Sequence, residues 1–224
     1  SLPAFLLSLA TLTLIKPEYR VSSVEAHPND DGIRNYLGIL LPLALGHGTY
    51  NLILRTTFTF TPIFLVEFRE IPLETAGFTA MILPFAGIFT KIGSGFILDS
   101  FGRKKSICGA IILTALFLAT LVLVPTNFIL PLNLILLGLT LYSFSPIIYS
   151  STTASLPSKY KSTGLGLVTI FGNIVGAIST TIIGKLIDLK GFSYSFLLLS
   201  VLSFSSAVKI YAVLEFNEVK STPI

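Results

Sequence analysis

The sequence predicts an all-α polytopic membrane protein, a bundle of spanning helices. Two observations predict it. Mean hydropathy is +0.84 and only 12% of the 224 residues are charged. Soluble domains carry roughly 25% charged residues, so a water-soluble fold of this size would lack the ions to cover its surface. The apolar residues also gather into segments of spanning length, where a bilayer crossing needs about 20 of them. No alternating pattern recurs at barrel spacing, which excludes a β-barrel.

The elements follow in order. Residues 1–15 are apolar but too short to span, and read as the end of a preceding transmembrane helix. Residues 16–34 are polar and form a linker. Six spans follow at 35–66, 75–98, 106–124, 128–156, 163–187 and 192–214. The bundle is therefore expected over 35–216 and a polar tail over 217–224. The gaps are short, which makes sequential spans antiparallel neighbours. The chain begins at Ser1 inside an apolar stretch, with no basic region before it and no cleavage pattern after it. The sequence is thus expected to be cut from a larger protein.

Charge fixes an orientation. With linker 16–34 in the cytoplasm, the inner segments hold nine basic residues: Lys16, Arg20, Arg34, Arg103, Lys104, Lys105, Lys159, Lys161 and Lys220. The outer segments hold two, Arg69 and Lys190. This asymmetry places the linker and the C-terminus in the cytoplasm. The net charge of +4 then belongs to loops. It calls for no nucleic-acid partner. The single Cys108 forms no internal disulfide and has no metal-ligand spacing around it.

One loop carries a motif. Gly95, Asp99, Gly102, Arg103, Lys104 and Lys105 give the spacing G-x-x-x-D-x-x-G-R-K-K. Gly95 permits close helix approach. Asp99, at a helix end, can pair with the basic cluster or cap a neighbouring helix. Gly102 allows a tight reversal, and the three cations hold the loop at an anionic membrane face. The group reads as a conformational latch. It resembles the cytoplasmic-loop signature of the major facilitator superfamily (MFS), except that Ser100 stands where the fuller signature has a basic residue. Residues 156–196 also resemble that family's tenth-to-eleventh loop and eleventh span, through Gly164, Gly166, Gly172, Asn173, Gly176, Gly184 and Asp188. Gly172 and Gly176 form a G-x-x-x-G helix-packing pair. The resemblance implies six helices of a twelve-helix fold, hence a missing N-terminal transmembrane half as partner. Monocarboxylate-type and sugar- or drug-type branches share these features.

Ionisable and polar groups inside spans are costly and mark function. His47, Asn51 and Arg55 follow at four-residue intervals and share one helix face, with Tyr50 beside it. In the resembled fold this span lines the central cavity, where Arg55 can bind a carboxylate or phosphate bidentately. Its rival readings are snorkelling, or pairing with a carboxylate in the missing half. Lys91 lies eight residues before Asp99, and in monocarboxylate-type members a basic residue there binds substrate. Snorkelling is its alternative too. Asn173 can hydrogen-bond substrate or a neighbouring helix. Lys185 and Asp188 read as a surface pair. Tyr142, Tyr149 and Ser150 are expected on the inner face of their span, and Pro42, Pro62, Pro84, Pro131 and Pro146 are candidate kinks. No Asp or Glu lies in mid-span, so proton coupling would need a carboxylate elsewhere or His47.

The expected function is secondary active transport of a small organic solute, an organic anion before others, by symport or antiport. Transport would proceed by alternating access through the plasma membrane. Sugar uptake or drug–proton antiport on the same fold is the alternative. A non-transporting structural or assembly protein of the membrane is the alternative of another class. No catalytic constellation, nucleotide-binding loop or metal site is present in the sequence, so neither enzyme activity nor a cofactor beyond a coupling ion such as a proton is expected.

Overall fold

The computed structural model describes residues 32–221, excepting the side chains of Arg103, Lys104 and residues 208–221. The expected helix end at 1–15, the linker up to residue 31 and the last three residues of the tail lie outside the described residues. Within them the elements are all helical. A 3-10 turn, Ile33–Tyr36, leads into α1 (Leu37–Glu67), α2 (Leu73–Phe101), α3 (Arg103–Leu123) and α4 (Ile129–Ala154). A second 3-10 turn, Ser158–Tyr160, opens a helical run, Lys161–Ser221, broken at Gly191. Its arms are α5 (161–190) and α6 (192–221).

Five helices are long and apolar enough to cross a membrane when the last run is taken whole, the qualifying 50 residues being Ser158–Ala207 with the preceding 3-10 turn. At about 1.5 Å per residue that run is more than twice the ~30 Å hydrocarbon core, so it supplies two crossings. Each apolar segment of the sequence falls on one helix. Several helices outrun their segments, because backbone hydrogen bonding continues where side chains turn polar. The last helix reaches Ser221, past residue 216 where the sequence reading ends the bundle.

In lipid no hydrophobic force draws apolar helices together, so close contact is made by small residues and interhelical hydrogen bonds. Both occur. A Cβ at Gly138 of α4 would collide with the Leu83 carbonyl of α2, and one at Gly87 of α2 with the Tyr142 ring of α4. Gly172 and Gly176 admit α1 onto α5 in the same way. Hydroxyls tie α6 to α3: Ser200 Oγ donates to Ala115 O at 2.6 Å and Ser203 Oγ to Ile111 O at 3.1 Å. The buried Cys108 Sγ lies 3.8 Å from Ala207 O along the same seam. Phe64 of α1 joins α6 through edge-on contacts with Phe192 and Phe196, centroids 5.8 and 5.2 Å away.

The connections differ in kind. Between α1 and α2, Arg69 turns inward and donates to Leu121 O at 2.7 Å and Val122 O at 3.0 Å. It thereby caps the end of α3, where carbonyls lack helical partners, and its guanidinium lies over Phe64 and Phe68. Burial lowers its pKa from the ordinary arginine value. The α2–α3 and α5–α6 reversals are each made by a single glycine, Gly102 (φ 76°, ψ 163°) and Gly191 (φ 80°, ψ 171°). That region is essentially closed to residues with a Cβ. The same spacing precedes both: Gly95, Asp99, Gly102 and Gly184, Asp188, Gly191. Pro42, Pro62, Pro84 and Pro146 lie inside helices. Pro131 does not serve as a kink, since it stands in the first turn of α4, where no intrahelical N–H bond is lost.

Candidate functional site

Midway along α1, His47, Asn51 and Arg55 face α5 on successive turns, over the strip that Gly172 and Gly176 leave bare. Arg55 Cδ and Nε pass 2.7 and 2.9 Å from where a Gly176 Cβ would stand. Arg55 Nη2 donates to Asn173 Oδ1 at 3.1 Å, and both residues are exposed in the chain. Arg55 therefore lies along the middle of α5. Its partner is an amide. Among the described residues this bond uses one of the five N–H donors of the guanidinium.

Behind this pair the polarity is buried. His47 is 1% exposed and Asn51 6%. Asn51 Nδ2 donates to the His47 carbonyl at 3.1 Å and faces His47 Nε2 at 3.0 Å. The first bond fixes which end of the amide points at the ring. Nε2 is then the ring atom placed to accept from Asn51 Nδ2. Nδ1 has no hydrogen-bond partner among the described residues. Tyr149 OH lies 3.5 Å from Nε2, and Tyr50 is buried between the His47 and Phe144 rings, centroids 5.6 and 5.2 Å away. His47, Asn51, Tyr50 and Tyr149 thus form one cluster of α1 and α4, with Arg55 of α1 and Asn173 of α5 at its open edge. Ser150 is exposed and outside that cluster.

Lys91 belongs elsewhere. It is exposed on α2, and its Nζ sits 5.4 Å from the centroid of Tyr142, whose ring rests on Gly87. An open hollow of about 510 Å³ lies over this pair, walled by Met81, Pro84 and Phe85. The two cations of the sequence reading therefore occupy different helix pairs, Arg55 the α1–α5 pair and Lys91 the α2–α4 pair.

The 95–105 motif is partly as expected. Gly102 makes the reversal. Asp99 stands exposed in the last turn of α2. Gly95 departs from expectation, because a Cβ there would meet nothing within 4 Å. It faces outward, so no helix of the described residues approaches it. A residue the sequence reading passed over does the local stitching: Ser106 Oγ lies 2.7 Å from Gly102 O and 3.2 Å from Ile97 O, tying α3 to the end of α2. A serine one turn after a helix-breaking glycine is the available signal. Lys185 and Asp188 are exposed near the end of α5. Among the described residues no group of three or more His, Cys, Asp or Glu is placed to hold a metal ion.

Compared with known proteins, residues 36–223 match the family model of the Major Facilitator Superfamily. No curated protein matches the chain.

Proposed function

The chain belongs to the Major Facilitator Superfamily, a family of secondary transporters integral to the membrane, and from that premise we propose that it moves a small organic anion by alternating access. The observation that carries this reading is the Arg55–Asn173 bond. A charged guanidinium held at mid-helix, on a face the described residues leave open, is tolerated in a membrane only beside water or protein. A cavity between this bundle and a second six-helix bundle supplies both. Asn173 orients the guanidinium, whose remaining N–H groups match the two oxygens of a carboxylate or phosphate. The buried His47 and Asn51 behind it add polarity on the same side.

In this reading α1, α2, α4 and α5 face the cavity, and the seam of α3 with α6 forms the back. Lys91 over Tyr142 is the second cation available to the substrate. The linker and the C-terminus lie in the cytoplasm, and the membrane is the plasma membrane. If the cycle carries a proton, His47 is the titratable group in the core of this bundle.

The test is uptake by the full-length protein in proteoliposomes, over a panel of carboxylates, phosphate esters, sugars and organic cations. The expected result is transport of an anionic solute that Arg55→Gln reduces about tenfold or more, the scale of one lost charged hydrogen bond. Arg55→Lys recovers part of it, and expression is unchanged. Transport confined to neutral solutes, or full anion uptake by Arg55→Gln, overturns the proposal.

A further inference from the structure

On the other side of α2 the bundle holds a groove of about 630 Å³, formed with α3 and α4 toward the end where residues 103–105 cluster. Its walls include Phe89, Phe96, Phe101, Leu113 and Leu139. No described residue covers the α2 flank: Ile92 is 81% exposed and Phe96 76%. In an integral membrane protein such a flank meets hydrocarbon, unless another protein segment covers it.

Three observations say what fits there. The hydroxyls of the groove ask for nothing. Thr90 donates to Ala86 O, Thr140 to carbonyls of its own preceding turn, and Ser143 to Thr140 O at 2.7 Å; Ser106 is engaged at Gly102 O. Polar atoms bonded in this way leave an apolar wall. Two of the lining residues, Gly93 of α2 and Gly109 of α3, would each place a Cβ in open space, with nothing within 4 Å. They therefore deepen the groove without serving the packing of the described helices. At one end stands Lys105, exposed, in the first turn of α3, and no carboxylate lines the groove. A long apolar slot with a lysine at its mouth, and no carboxylate among its described lining residues, matches an acyl chain ending in a negatively charged headgroup.

We propose that this groove is a binding site for one anionic phospholipid, its acyl chain along Gly93 and Gly109 and its phosphate on Lys105. The site lies outside the cavity of Arg55 and does not depend on the transported solute.

The test measures lipid retention by the full-length protein, purified in detergent after exposure to vesicles of phosphatidylglycerol or of phosphatidylcholine and weighed by native mass spectrometry. Wild type is expected to retain phosphatidylglycerol in preference to phosphatidylcholine. Lys105→Gln lowers that preference about fivefold, the contribution of one basic residue at an anionic membrane surface. Gly109→Leu, which fills the slot, lowers retention of both lipids. Lys190→Gln, an exposed lysine away from the groove, changes neither. Size-exclusion profiles show that the variants remain folded, and Gly93→Leu serves if Gly109→Leu does not. Equal retention of the two lipids by wild type overturns the proposal. So does retention unchanged in both groove variants, or displacement of the lipid by glycerol phosphate, which has the headgroup charge and no chain. A photo-crosslinker at Gly109 that captures another segment of the protein in place of lipid also overturns it.

Discussion

At the scale of single residues, the work of a side chain is not always revealed by its neighbours in sequence. Arg69, one of two basic residues in the expected outer loops, bonds the last carbonyls of α3. Arg69→Ala is expected to lower stability by about 2 kcal/mol, from hydrogen bonds of a charged donor. Thermal unfolding in detergent measures it, and Arg69→Lys recovers only part. Glu70, the next residue, has φ 56° without being glycine. Glu70→Gly removes that strain and is expected to raise stability by up to about 1 kcal/mol. The face shared by His47, Asn51 and Arg55 was legible, because four-residue spacing maps directly onto a helix. The partner of Arg55 was not: Asn173 lies 118 residues away, and no spacing says which helix a face will meet. Gly95 is a different case. A glycine in a motif invites a contact, but among the described residues its surroundings are open.

Among the elements, the helices were legible because hydropathy reports the bilayer each must cross. Their ends were not, since a helix stops where its hydrogen bonding stops. Residues 188–191 read as a loop between spans, whereas α5 continues to residue 190 and α6 resumes at residue 192. One glycine replaces the loop. Gly191→Ala is therefore expected to cost at least about 1 kcal/mol, the scale of a residue forced into a disallowed region. Gly166→Ala, inside α5 with nothing within 4 Å of its new Cβ, is expected to gain up to about 1 kcal/mol from helix propensity. Gly172→Ile presses on His47 and Asn51. Overpacking of that kind costs about 1–3 kcal/mol, and it is expected to lower both the unfolding temperature and the yield of monodisperse protein. The three variants measured together separate backbone geometry, propensity and packing, which a count of glycines in the sequence confounds.

For the whole molecule, the pairings have an internal symmetry. α2 packs on α4 through Gly87 and Gly138, as α5 packs on α1 through Gly172 and Gly176; α3 and α6 pack on each other. Exchanging the first three helices for the last three preserves this pattern, and the shared Gly-x-x-x-Asp-x-x-Gly spacing before the two reversals goes with it. Three crossings per repeat place the second repeat upside down relative to the first. In the latch reading the two aspartates then stand at opposite faces of the membrane, Asp99 inside and Asp188 outside. Asp99→Asn is expected to slow turnover while leaving substrate affinity nearly unchanged, read as a fall in kcat at near-constant KM. A rise in KM alone would place Asp99 in substrate binding instead.

The one-residue reversals also decide where foreign sequence can be threaded into the chain. A helix pair joined by a lone glycine has no slack, so an epitope inserted at Gly102 or Gly191 must unwind helix on both sides. Residues 125–127, exposed and outside the helices between α3 and α4, offer a seam for a reporter peptide, at the end of the bundle opposite the Gly102 turn.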